Sequence, residues 1–118
     1  MTETDYPHLC GEIETDLDLT QLASRLKEAG LPAEVRHSSH YEGGQYLSLQ
    51  SETEVDMSLE RINDREYIVR GDADALAELT QAAERLSDAL RGLGMRHRLE
   101  IYAEDGSLAR YFHYEWPA

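Results

Sequence analysis

Residues 71–94 read GDADALAELTQAAERLSDALRGLG, and the fold turns on how this stretch is read. Leu76, Leu79, Ala83, Leu86, Leu90 and Leu93 recur at spacings of three and four, so a straight helix carries them as one apolar seam. Gly71, Asp72 and Asp74 supply start signals, and Gly92 and Gly94 supply the end. An a/d pattern also fits a coiled coil, but this one spans too few heptads and has alanines beside the seam. It reads as one helix lying on a sheet.

Working outward, the sheet is found on both sides. Downstream, residues 96–102 and 108–116 flank Ala103-Glu104-Asp105-Gly106-Ser107 and predict a hairpin. A two-residue Asp105-Gly106 turn places Leu99 opposite Phe112 and gathers apolar residues on one face. A three-residue Glu104-Asp105-Gly106 loop with a bulge instead places Leu99 opposite Tyr111 and His97 opposite His113. Burial favours the first register and loop chemistry the second. Upstream, residues 35–41, a Glu42-Gly43-Gly44 turn and residues 45–50 form one hairpin. Val55, Met57 and Leu59 then alternate with acids and serine, and Asn63-Asp64 turns the chain into residues 66–70. Residues 58–62 also fit a helical turn.

The N-terminal part opens with period two: Leu9, Gly11, Ile13 and Thr15 share one side of a strand, with Glu12, Glu14 and Asp16 opposite. From Leu19 the period becomes helical through Leu22, Ala23 and Leu26. Asp18 and Gln21 are spaced for a capping box, and Gly30-Leu31-Pro32 supplies the stop, giving a helix over about residues 19–29. The element order predicts an α+β domain over residues 1–118. It has an antiparallel or mixed sheet of about five to seven strands and two helices packed on one face. This is an open-faced sandwich, with ferredoxin-like packing a loose analogue.

Composition bounds the function. The chain has 118 residues, with 41% hydrophobic and 30% charged, values ordinary for a folded domain. Twenty-four acids against eleven bases give a formal charge of −13, which opposes nucleic-acid backbones and anionic membrane surfaces. No apolar run approaches the length of a membrane span. The first eighteen residues carry acids and no Lys or Arg, the reverse of a secretory leader, and Cys10 has no second cysteine to bond. A cytoplasmic location is expected. The acidity itself fits either a solubility and salt-tolerance surface or a face for a basic partner.

Catalytic signatures are absent: there is no P-loop, no Gly-x-Gly-x-x-Gly, no nucleophile elbow and no HExxH. Cys10 near His8 lacks a third member and stands among acids that raise a thiol's pKa. His37 and His40 point to opposite faces of a strand. No cofactor is expected. The C-terminal segment Tyr111-Phe112-His113-Tyr114-Glu115-Trp116 concentrates aromatics, one alternating set for the core and one for the other face. The leading expectation is therefore a non-catalytic protein-binding module of inhibitor or immunity type. Its acidic rim is Glu12, Glu14, Asp16, Glu52, Glu54 and Asp56, and its anchors are Tyr111, Tyr114 and Trp116. The alternative is a small enzyme or a ligand- or metal-binding domain near the C-terminal hairpin, with His97 and His113 sharing a metal in the bulged register. A homodimer paired through sheet faces is a third arrangement.

Overall fold

The computed structural model describes residues 6–38, 44–50 and 55–116. Strand β1 (His8–Glu14) leads into α1 (Leu19–Glu28), followed by β2 (Ala33–His37), β3 (Gln45–Gln50), β4 (Val55–Asn63) and β5 (Glu66–Ala73). Helix α2 (Leu76–Gly92) then precedes β6 (Arg96–Tyr102) and β7 (Leu108–Tyr114). The strands form one seven-stranded sheet in the order β2-β3-β4-β5-β1-β6-β7, antiparallel throughout. The first strand is thus the joint of the sheet: a meander of β2 to β5 returns to one side of it, and the β6–β7 hairpin lies on the other.

Local chemistry sets the helix ends. Asp18 accepts from the Gln21 amide at 2.8 Å while the Gln21 side chain accepts from the Asp18 amide at 2.9 Å, which closes the expected capping box. Both helices leave through a glycine with positive φ, Gly30 at 94° and Gly94 at 72°. Each exit carries the paired backbone bonds of a Schellman turn: Leu31 to Leu26 with Gly30 to Lys27, and Met95 to Leu90 with Gly94 to Arg91. Helix α2 departs from expectation at its start. Ala75 occupies the cap and no side chain bonds there, because Asp72 and Asp74 fall too early to reach the free amides.

Period two decides which side of each strand is buried. Leu9 and Ile13 of β1, Tyr67 and Val69 of β5, Leu99 and Ile101 of β6, and Leu47, Leu49, Met57 and Leu59 of the meander join one core. Leu22 and Leu26 of α1 and Leu79, Leu86 and Leu90 of α2 complete it. Both helices therefore cover the same face. Gly11 sits on that face between β5 and β6, where an added Cβ would collide with the Arg98 carbonyl and approach Leu99 Cδ2 at 2.9 Å. Its lack of a side chain lets the central strands close. Tyr67, fully buried, donates its hydroxyl to the Leu17 carbonyl at 2.6 Å, and burial pushes its pKa up to about 12.

Two bulges tune the pairing. Residues 58–62 are strand, with Ile62 as the extra residue where the β4–β5 register shifts between Arg61 and Asn63. In the β6–β7 hairpin both sequence signals are honoured. The loop is the three-residue one, closed by Gly106 to Ala103 and Ala103 to Ser107 backbone bonds with Gly106 at φ 87°. A bulge at Ala109 then shifts the ladder, so Tyr102 faces Leu108 but Leu99 faces Phe112. The pairing that a shared His97–His113 metal requires is not formed: His97 faces Tyr114 and Arg98 faces His113.

Candidate functional site

The face of the sheet away from the helices is the candidate surface. In β1 and its two neighbours its residues are His8, Cys10, Glu12 and Glu14 of β1, Glu66, Ile68, Arg70 and Asp72 of β5, and Arg96, Arg98, Glu100 and Tyr102 of β6. Adjacent strands bring Glu12 opposite Arg98 and Glu14 opposite Arg96. Arg96 holds both Glu14 oxygens at 3.0 Å, and Arg98 reaches Glu12 at 2.5 Å and Glu100 at 3.1 Å. Burial alone would pull the Arg98 pKa down, but its hydrogen bond to Glu12 and the Glu100 and Glu12 charges more than offset this and hold it above its ordinary value.

Aromatic groups frame this charged centre. Glu115 takes a left-handed φ of 60°, turning the chain after β7 so that Trp116 lies on the guanidinium groups of Arg96 at 4.5 Å and Arg98 at 5.7 Å. Tyr111 stacks on His113 with centroids 4.9 Å apart, and His8 stacks on Tyr102 at 5.1 Å. The Tyr102 hydroxyl donates to Glu100 at 2.9 Å, and this bond raises the phenol's pKa. Burial, and then the Glu100 carboxylate 3.9 Å away, push the Cys10 thiol up. The acid that acts on Cys10 is thus Glu100 from β6, not its neighbours in sequence.

The sequence-predicted residues divide. Glu12, Glu14, Asp56, Tyr111 and Trp116 share the uncovered face, and Asp16 is exposed in the loop that follows β1. Glu52 and Glu54 lie outside the described residues. Tyr114 is on the helix side: it stacks on His97 at 6.3 Å, with Arg91 of α2 6.0 Å from its ring. Three positions separate it from Tyr111, and an odd separation reverses the face. Glu12 and Glu14 are spoken for by Arg98 and Arg96. The carboxylates of this face with no ion-pair partner among the described residues are Glu66, which accepts from the Asn63 side chain, and Asp72 and Asp56, which stand directly opposite each other on β5 and β4.

His97 and His113 lie on opposite faces. His97 is fully buried, with Nε2 2.7 Å from Ser87 Oγ and Nδ1 3.0 Å from the Met95 carbonyl, while His113 Nδ1 is 3.0 Å from the Trp116 carbonyl. Among the described residues no three His, Cys, Asp or Glu side chains are grouped to hold a metal. Arg96, Arg98, Glu100 and Asp72 were missed by sequence reasoning. The alternation of Arg96, Arg98 and Glu100 is visible in the sequence, but its meaning depends on β1 being the neighbour. Comparison with known proteins finds no matching family model, no matching curated protein and no matching solved structure.

Proposed function

We propose that this protein is a non-catalytic binding module of the cytoplasm, of inhibitor or immunity type, whose uncovered sheet face receives a basic protein partner. The observation that carries the reading is the placement of both helices on one side of a seven-stranded sheet, which leaves the other side with no covering helix or sheet among the described residues. That side offers Tyr111 and Trp116 toward one edge and the opposed Asp56 and Asp72 toward the other. Like charges directly opposite on neighbouring strands are locally destabilising, and a cationic side chain seated between them removes that repulsion. No helix among the described residues is long and apolar enough to cross a membrane, and the charge of −13 opposes nucleic acid.

The test compares two charge-reversed baits with the same net charge. Asp56→Lys with Asp72→Lys alters the uncovered face, and Glu84→Lys with Asp88→Lys alters the exposed side of α2. A basic protein captured by the parent and by the helix variant, but lost with the sheet variant, is the expected result. Equal retention by both variants removes the uncovered face from the reading.

A further inference from the structure

The sheet has two edges, β2 and β7, and they are guarded differently. The first is five residues long, follows Pro32 and carries Glu34 and Arg36, which pair at 3.0 Å. Short length, proline and charge are the devices that keep an edge from templating another chain. The second is seven residues long and contains no proline, lysine or acid, only Arg110 among charged groups. Its bulge protects only its start, and Leu108 there is 56% exposed. Beyond the bulge, its outward backbone groups have no neighbouring strand among the described residues.

We infer that β7 pairs with β7 of a second copy of this chain, antiparallel about a two-fold axis at Tyr111, joining two sheets into one. The strand is self-complementary in that register. Leu108 meets Tyr114 of the second copy, Ala109 meets His113, Arg110 meets Phe112, and Tyr111 meets its own counterpart. Beyond the bulge the match keeps sides, since Arg110 and Phe112 both face the helix side opposite Ile101 and Leu99; across the bulge, Leu108 lies on the other face from Tyr114. Arg110 already lies 4.9 Å from the Phe112 ring of its own chain, and the pairing brings it beside a second Phe112, twice by symmetry. Two molecules of charge −13 repel, and an approach along a strand that itself carries Arg110 and no acid places no carboxylate of β7 at the seam.

Sedimentation velocity over a range of concentrations tests this, with amide exchange of residues 110–114 as the second readout. The parent protein passes from monomer to dimer as concentration rises, and the dimer tightens when salt is raised. Leu108→Lys, at an exposed position with little packing to lose, weakens dimerisation at least tenfold (~1.4 kcal/mol) while leaving circular dichroism unchanged. Alternate amides of β7 gain protection only at dimer concentrations. A parent that stays monomeric at every concentration overturns the inference. So does a dimer that Leu108→Lys leaves intact and in which the β7 amides exchange as in the monomer.

Discussion

His97 is held neutral by its surroundings. Ser87 from α2 donates its hydroxyl to Nε2, Nδ1 donates to the Met95 carbonyl, and Tyr114 of β7 and Ile13 of β1 close the sides. Burial is the main force lowering its pKa from 6.5. The Met95 carbonyl opposes the shift, and the Arg91 and His113 charges add to it. The folded chain therefore resists a proton that the unfolded chain accepts at its ordinary pKa. Stability from this residue is fully present above about pH 6.5 and is lost as pH falls through the lowered folded value. Urea unfolding at pH 7.5 and 5.5 should give a lower midpoint in acid for the parent. His97→Gln, though weaker at both, should show a smaller difference between them. Equal differences would assign the acid sensitivity to another group.

At the scale of the element, the β6–β7 hairpin reconciles two demands with one residue. Its loop sequence requires the three-residue turn, and burial requires Phe112 opposite Leu99; Ala109 is the surplus residue that lets both stand. Deleting Ala109 therefore leaves Arg110 opposite Ile101 in an unbroken ladder and should cost less than about 1 kcal/mol in denaturant unfolding. Deleting Tyr111 instead turns Phe112 and Tyr114 relative to the residues before them and exposes core side chains. A loss of several kcal/mol is expected there. The same contrast explains what the sequence made legible. The α1 capping box, the glycine exits and period two are encoded within a few residues, so both helices and the strand-rich segments could be read, whereas the start of α2, the end of β5 and residues 58–62 could not be fixed from such local signals. The partners of β1 are set by burial across the whole chain, so the Glu12–Arg98 and Glu14–Arg96 pairs could not be. Tyr114 is a different case: its side followed from counting positions along β7, and grouping it with Tyr111 overrode that count.

At the scale of the molecule, charge works in two directions. The arginines of the uncovered face are engaged at short range, whereas Asp18, Glu28, Asp64, Glu84, Asp88, Glu104 and Asp105 are exposed around the helices and turns. Salt weakens both the pairs and the repulsion. The pairs are half-exposed and contribute roughly 0–1 kcal/mol each. The repulsion acts across a body of 40 × 33 × 26 Å. With a screening length of about 30 Å at 0.01 M salt, each acid senses most of the others; at about 3 Å in 1 M it senses only its neighbours. With a net charge of −13 the long-range repulsion is the larger quantity. The thermal midpoint should therefore rise with sodium chloride, by about 3–6 °C for each kcal/mol of relieved repulsion. Because screening saturates, most of the rise should come below about 0.2 M, whereas a general salt effect on apolar burial grows steadily toward 1 M. A midpoint that stays flat or falls over the first 0.2 M would mean that the Arg96 and Arg98 pairs outweigh the repulsion. The acidity would then be a property of the sheet face rather than of the whole surface.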